Sequence, residues 1–572
     1  MFASEADKRA ARKTPKDEDR FYASSLAIGE VKRWKQSLNV RESGDKKQSA
    51  PEMQIVGYLE RTKVPWGLLT NGAEWRLYHG DTTGTAKRYF TVDFEKALES
   101  EKNFRWFYLF FRRESFQRDG VEGKCFLDRV LEGSEQYAVQ VGKELKNLVF
   151  VKVFPLLAEG FLEDYRQKTG NDVDEETLQR VYRATLAFLY RLLFLLYAEA
   201  RNLLPIRDEQ RYWPYSITKI KHDVAQTVKS GRVLASGTYS WWGDLMNLFG
   251  IVDQGREELN VPAYNGGLFK DDGNHEFLKD YRVSDRHLAP ALDALSRQDG
   301  RFVDYGFVGV RELGSVYEGL LEFSLRVAAE DLVAVKDKKN SSKEIYEPAS
   351  KYAGKTVVVE ADKPYLVNDR KERKATGSYY TPDYIVDYIV ANTLGPLVAE
   401  RRAALEEALD GIASLQKELR RAGKSEEYIA DEVRKRNALE TLLDVKVLDP
   451  AMGSGHFLVA AVDYLTDGFI QTITADLDAR PVTDELAALR KDIRKSLDGY
   501  GVEVTDEQLS DTKLLKRMVM KRCVYGVDLN EMAVELAKLS LWLDAFTVGA
   551  PLSFLDHHLK HGNSLIGPYS IS

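Results

Sequence analysis

The stretch VLDPAMGSGHFL (447–458) decides how the C-terminal part of the chain is read. Its apolar start predicts a short strand ending at Asp449, and the apolar run that follows predicts a helix beginning near His456. Gly453 and Gly455 lie between them. A loop at the point where a parallel strand turns into its helix sits on the ligand-binding edge of an open α/β sheet, and glycines there let the backbone approach a ligand closely. The string lacks the third glycine of the dinucleotide fingerprint and has no Lys-Ser/Thr pair for a phosphate loop, so taken alone it is equally a bare tight turn.

Its companions narrow the reading. In RCVYGVDLNEMAVELAKLSLWL (522–543) a second strand should end at Asp528 and lead into an amphipathic helix, and an acid at a second strand's end is placed to hold ribose hydroxyls. Asp528 follows Asp449 by 79 residues, far beyond the roughly 20 of a simple dinucleotide unit, so a mostly helical insertion is expected over about 470–518. Two further strings belong with these. ATGSYYTPDYIVDYIV (375–390) has a turn at Thr376-Gly377 and a helix from about Pro382, and HHLKHGNSLIG (557–567) lies near the C-terminal end.

Size and composition bound the rest. With 572 residues, 44% of them hydrophobic, the chain should hold two to four domains with real cores. Against 82 Lys and Arg stand 89 Asp and Glu, a net charge of -7, so any nucleic-acid contact must come from local patches. Two cysteines, Cys125 and Cys523, make no disulfide framework, and with no signal peptide in view the expected compartment is the cytoplasm. The most apolar stretch, LAFLYRLLFLLYAEA (186–200), carries Arg191 and Glu199 and reads as too short and too charged for a membrane span.

Three parts are expected along the chain: 1–115, 116–345 and 346–572. In the first, FYASSLAIGEVKRW reads as a strand, and WGLLTNGAEWRLYH (66–79) as a strand pair turned at NGAE. The second has a helical period, as in EETLQRVYRATLAFLYRLLFLLYAEARNLLP, closed by Pro205. Residues 335–355, polar and basic, read as an exposed inter-domain loop, and 400–440, with acids and bases three or four apart, as a solvated helix pair.

The four C-terminal strings, in the order TGSYYTP, DPAMGSGHF, GVDLN, GNSL, resemble the cofactor half of the N6-adenine DNA methyltransferases. The resemblance implies S-adenosylmethionine as cofactor and double-stranded DNA as substrate. It places Thr381 and Asp449 near the methionine end, Gly453 and Gly455 against its backbone, Asp528 on the ribose hydroxyls and Asn563 at the adenine edge. The chemistry is coherent, because a cationic sulfonium suits a carboxylate and loop carbonyls, whereas a phosphate wants amides and lysine. Plainer roles exist for the same residues: Asp449 as a turn cap, Asn563 as a tight-turn residue, His456 as a helix-start residue. His557, His558 and His561 are assigned no metal.

In that family an Asn/Asp-Pro-Pro-Tyr/Phe string after GNSL accepts the target amine's protons and stacks the flipped base. Here GNSLIGPYSIS follows, and no Pro-Pro-aromatic string occurs in the 572 residues. The expectation is a shortened enzyme that binds cofactor and does not methylate DNA unaided.

At the other end, AIGEVKRW (27–34) puts Glu30 and Lys32 two apart on one strand face, an acid to hold Mg²⁺ and a lysine to position water. QIVGYL follows, with Gln54 and Tyr58 four apart on a helix. The succession resembles the PD-(D/E)xK nuclease domain of type I and type IIG restriction enzymes. No Pro-Asp pair precedes Glu30; Asp17 and Asp19 are the available stand-ins, and loss of a second acid lowers the expected metal affinity and makes cleavage doubtful. Between the two ends, LYRLLFLLYAEARNLLP, PAYNGGLF (262–269) and LGSVYEGLLEF (313–323) resemble the helical connector of fused type IIG and related phage-defence enzymes. The fold class expected is therefore α/β multidomain: a restriction-endonuclease-like α/β domain, a helical connector and a partial Rossmann-like methyltransferase domain. The alternative is a catalytically inert DNA- or partner-binding chain completed by a separate subunit. A methyltransferase for small molecules or proteins is disfavoured by the nuclease-like front.

Overall fold

The computed structural model describes residues 1–566 apart from 3, 15–18, 43–48, 81–88, 120–121, 209, 265–266, 270–275, 299, 307, 309–313, 315, 317–318, 321–322, 338–339, 353, 369–380, 476, 500–501 and 546–551. Thr376, Gly377 and Asp17 thus lie outside the described residues, as does the side chain of Asp19.

The N-terminal sheet has four strands in sequential order: β1 (Ala27–Val31), β2 (Trp66–Thr70), β3 (Glu74–His79) and β4 (Tyr89–Asp93). Helix α1 (Pro51–Thr62) makes the crossover that lets β1 and β2 run parallel, while β2, β3 and β4 are antiparallel. The β2–β3 turn is chemically specified: Gly72 takes φ +84°, and the Asn71 side-chain oxygen accepts from the Glu74 amide at 2.7 Å. The strand predicted over 21–34 is shorter than expected, because Phe21 and Tyr22 belong to a helical turn (Asp19–Tyr22).

A helical layer follows, built from α2 (Glu101–Phe111), α3 (Phe126–Leu148), α4 (Phe154–Thr169), α5 (Glu175–Ala200), α6 (Ile217–Lys229), α7 (Ser240–Gln254) and α8 (Asp285–Ser296). A π-turn at Val149–Val153 joins α3 to α4 just ahead of Pro155, whose missing N–H would leave an α-helical carbonyl without a donor. The apolar stretch at 186–200 is part of α5, which at 26 residues is long and apolar enough to cross a membrane; 89% of that window is buried inside the fold. Its charges are satisfied there. Arg191 donates to the Leu268 carbonyl at 2.7 Å, and Glu199 accepts from the Tyr212 hydroxyl and the Ile217 and Thr218 amides at 2.8, 2.9 and 2.9 Å.

The segment read as an exposed loop (335–355) is instead a hairpin. Strands β6 (Leu332–Asp337) and β7 (Asn340–Pro348) pair antiparallel, with β8 (Val357–Val359) on the other edge of β6, while β5 (Phe323–Val327) pairs with β9 (Pro364–Asn368). Its Lys/Glu-rich composition masked the β-branched and aromatic residues Val333, Val335, Ile345 and Tyr346. The helix pair at 400–440 is present as α9 (Asp383–Arg421) and α10 (Glu426–Arg434), but α9 begins just after Thr381 and Pro382 and runs 39 residues.

The C-terminal part is a parallel sheet of β10 (Val447–Asp449), β11 (Val524–Asp528) and β12 (Leu559–His561), in that order. Helix α11 (Ala438–Leu443) leads into β10; α12 (His456–Thr474), α13 (Arg480–Asp498) and α14 (Asp511–Cys523) connect β10 to β11, and α15 (Glu531–Asp544) follows β11. The insertion expected over 470–518 is helical, and it carries a load. Helix α1 of the N-terminal sheet packs on α12 and α14; the Asp511 amide donates to the Asn39 carbonyl at 3.2 Å, and the Thr512 amide to Glu52 at 3.3 Å. One hydrophobic core runs from Leu38 through the helical layer to Leu559.

Gly57 sets the closeness of that packing. A Cβ there would sit 2.6 Å from Thr474 Cβ, a rigid branched carbon that cannot swing away. Alanine would gain about 1 kcal/mol of helix propensity, yet overpacking costs about 1–3 kcal/mol. Gly57→Ala is therefore expected to lower the thermal midpoint, despite being a helix-favouring change; an unchanged or raised midpoint in calorimetry would show that α1 and α12 are not in this contact.

Candidate functional site

Parallel strands carry their ligands at the carboxyl edge, and here that edge gathers three predicted residues. Asp449 ends β10, Asp528 ends β11, and Asn563 follows β12 by two residues. The register is fixed by Asp449 opposite Gly526 and Asp528 opposite His561.

Asp528 organises the edge. One carboxylate oxygen accepts from the Gly453 amide at 2.8 Å and the other from the Asn530 amide at 2.8 Å, so a single nearly buried side chain ties the β11 end both to its own turn and to the glycine loop. The Met452 amide adds a bond to the Val527 carbonyl at 3.1 Å. Gly453 and Gly455 take φ +54° and +85°, where a side chain is strained. Gly455 also has a packing reason: its Cβ would lie 3.1 Å from Ala537 Cβ on α15. Its closeness is thus to a helix of the fold, a role the sequence pattern did not reveal. Gly526, in the middle of β11, likewise leaves room for Met452 and for Leu458 of α12.

Asp449 accepts from the Ala451 amide at 3.0 Å, the turn-capping bond foreseen as its plainer role. Burial pushes its carboxyl above the usual range, the Ala451 bond opposes the shift, and the charge of Asp528 adds to it. The loop therefore holds a desolvated acid facing a second acid. That surplus of negative charge fits a cationic ligand group and disfavours a phosphate.

Thr381 is half-buried ahead of α9, and a contact not foreseen from the sequence joins the start of that helix to the start of α12. Asp383, the first residue of α9, pairs at 2.9 Å with Nε2 of His456, the first residue of α12. The sequence signal was only an acid at one helix start and a histidine at another. Asn563 is exposed and accepts from the Leu565 amide at 3.0 Å, its turn role, while Gly562 donates to the Asp528 carbonyl at 2.9 Å. His558 and His561 bond to the Val524 and Leu529 carbonyls, each at 3.0 Å.

At the N-terminal sheet the second constellation is also assembled. Lys32 Nζ lies 2.8 Å from Glu30 and donates to Gln54 Oε1 at 2.9 Å, with all three side chains mostly buried. Gln54 in turn donates to the Ser49 carbonyl. Tyr58 shares the helix and carries the Arg61 guanidinium 5.9 Å from its ring centre. Among the described residues no group of three or more His, Cys, Asp and Glu side chains gathers to hold a metal. Glu30 alone meets the lower end of what Mg²⁺ takes from protein, with substrate phosphates supplying the remainder.

This geometry defines the C-terminal part as a parallel α/β domain with an acidic glycine loop at the carboxyl edge of its sheet. Residues 425–559 match the family described as MmeI, DNA-methyltransferase domain. A protein of Methanocaldococcus jannaschii named "Putative type II restriction enzyme and methyltransferase" is 24% identical over 88% of this chain and 39% of its own length. The solved structure of the type IIL restriction-modification enzyme MmeI in complex with DNA aligns over 73% of this chain and 40% of its own, at 15% identity and a TM-score of 0.32. The chain thus spans about two-fifths of the length of each.

Asp449→Asn keeps an oxygen for the Ala451 amide and removes the charge that burial and Asp528 oppose. A carboxyl raised in the folded state loses stability as pH climbs from its ordinary value through the raised one. The substitution should accordingly stabilise the ligand-free protein by about 1 kcal/mol near pH 8, with the gain fading toward about pH 4, where the wild-type carboxyl is itself neutral. Thermal unfolding across that range checks it.

Proposed function

We propose that the C-terminal part is the S-adenosylmethionine-binding half of an N6-adenine DNA methyltransferase, in a restriction-modification or phage-defence protein of the cytoplasm acting on double-stranded DNA. The observation that carries this is the convergence of Asp449, Asp528 and Asn563 on one carboxyl edge, with the Asp383–His456 pair tying the start of α9 to the helix that follows the loop. The match to a DNA-methyltransferase domain over 425–559 supports it independently.

The cofactor supplies an electrophilic methyl group on a sulfonium. Asp449 presents negative charge to that cation, and Thr381 borders the methionine end. Gly453 keeps the loop backbone clear of a side chain there, and Gly455 seats the same loop against α15. Asp528, whose oxygens each have a lone pair beyond the amides they hold, accepts ribose hydroxyls, and Asn563 meets the adenine edge. Transfer to DNA further needs amine acceptors and a stacking face for the flipped base, roles that no Asn/Asp-Pro-Pro-aromatic string fills among the 572 residues. Cys125 and Cys523, both free and buried, fit a reducing compartment.

The N-terminal sheet is read as a PD-(D/E)xK nuclease-like domain, joined through the helical connector in the division 1–115, 116–345 and 346–572. Glu30 would hold Mg²⁺ together with a substrate phosphate, and Lys32, steered by Gln54, would position the attacking water.

Calorimetry tests the cofactor site. Asp528→Ala should weaken S-adenosylmethionine binding at least about tenfold, on the scale of losing a charged hydrogen bond. Asn563→Ala, at an exposed turn, should weaken it by a smaller factor with the thermal midpoint unchanged. Binding undiminished in both variants would sink the cofactor reading. The unsupplemented chain should transfer no tritiated methyl to mixed-sequence DNA, and clear transfer would show that a target-base pocket exists among these residues.

A further inference from the structure

Directly beyond the Glu30–Lys32 pair the chain reads Arg33-Trp34-Lys35, an aromatic residue between two cations. Trp34 is 60% exposed although it belongs to a residue type that folding ordinarily covers. It is not loose. Its indole rests on the β2–β3 turn, where a Cβ on Gly72 would lie 2.5 Å from Trp34 Cε3. Lys35 holds the left-handed backbone at φ +57°, a strained conformation for a residue with a side chain, and its amide donates to the Asn71 carbonyl at 3.1 Å. The buried Asn71 and Gln36 clamp the far side: Asn71 Nδ2 donates to the Gln36 carbonyl at 2.7 Å, and the Gln36 amide to the Arg33 carbonyl at 3.0 Å.

The fold thus spends local strain and two buried polar side chains on presenting an indole to solvent. The flanking cations point outward as well. The side chain of Arg33 is 81% exposed and that of Lys35 58% exposed, each in a surface ion pair, with Glu42 at 3.1 Å and Glu95 at 2.9 Å. Such pairs are worth little in water, so a phosphate can displace them.

We propose that Arg33, Trp34 and Lys35 form a nucleic-acid subsite in which the indole stacks on an unpaired base and the two cations hold the neighbouring phosphates. This deepens, and rests on, the nuclease reading of the adjacent Glu30–Lys32 centre. A rigid aromatic platform with a positive rim is the arrangement that binds single strands with little sequence preference. Placed two residues from Lys32, it engages the strand at a point where the duplex is opened or tailed.

The test is fluorescence anisotropy of the full chain with a blunt duplex and with the same duplex carrying a short oligothymidine tail, in EDTA so that no strand is cut. Trp34→Ala should weaken binding of the tailed duplex about tenfold, as for loss of one stacked base, with little change on the blunt one; Trp34→Phe should restore most of it. Arg33→Ala with Lys35→Ala should lower the slope of log affinity against log salt by about two. Tailed-duplex binding by Trp34→Ala equal to wild type overturns the proposal, and so does an equal loss on both duplexes, which would make the indole a backbone contact. Glu30→Gln separates the two readings. If it leaves Mg²⁺-dependent nicking of plasmid DNA unchanged while Trp34→Ala still weakens tailed-duplex binding, the nuclease reading falls and the subsite stands; if nicking is lost in Glu30→Gln and tailed binding is intact in Trp34→Ala, the reverse holds.

Discussion

The bond from the Gly453 amide to the Asp528 carboxylate is the constraint on which the C-terminal edge depends. Strand β11 pairs with both neighbours, but pairing alone leaves the loop after β10 free to fold outward over the strand ends. Asp528 prevents this by accepting from the loop with one oxygen and from its own turn with the other. Each charge-assisted bond is worth about 1.5–3 kcal/mol, and the one from Gly453 ties the loop, left-handed at Gly453 and Gly455, to the end of β11. The same bonds bring Asp528 toward Asp449, whose carboxyl is already disfavoured by burial. Order in the loop is obtained by concentrating negative charge.

A second consequence runs along α12. The helix starts at the glycine loop with His456, ends at Thr474, and meets α1 through the close approach at Gly57. Helix α1 carries Glu52 and Gly57 toward the insertion and Gln54 toward Lys32. Glu52 is buried, its carboxyl pushed up by desolvation and drawn back by Arg76 at 3.9 Å and by Thr512. The N-terminal sheet is therefore seated on the C-terminal α/β domain by a polar, desolvated contact as well as by the shared core. Such contacts fix geometry more than they add stability, because the cost of desolvating the charges offsets most of their attraction.

Much of this was legible in the sequence where local chemistry and tertiary environment agree. The β10–loop–α12 unit, the β11 end at Asp528 and the β2–β3 hairpin were read correctly because glycines, acids and turn residues sit at the positions that backbone geometry demands. Glu30, Lys32 and Gln54 were named singly, and the fold brings them within hydrogen-bonding distance. The 335–355 hairpin was missed because its charged residues dominate the composition, whereas strand formation depends on the alternate apolar ones. Helix α5 was rejected as a membrane span for its length and charge; its length passes, and what decides is that its charges find partners inside the protein. The Asp383–His456 pair, the Gly455–Ala537 approach and the Gly57–Thr474 contact are relations between distant segments, which a single sequence without aligned relatives does not encode visibly.

The two centres gather charge differently. Asp449 is kept desolvated beside the like charge of Asp528, whereas Lys32 is answered by the Glu30 carboxylate at 2.8 Å and by Gln54 at 2.9 Å. A fold selected only for stability would replace Asp449 with a neutral residue, since its amide bond to Ala451 needs no charge. Retention of unfavourable electrostatics at the carboxyl edge of a parallel sheet, beside the left-handed backbone that Gly453 and Gly455 adopt without strain, leaves interaction energy unspent at that edge. The helical layer between the centres answers its buried charges internally: Arg191 donates to the Leu268 carbonyl, and Glu199 accepts from the Tyr212 hydroxyl and the Ile217 and Thr218 amides.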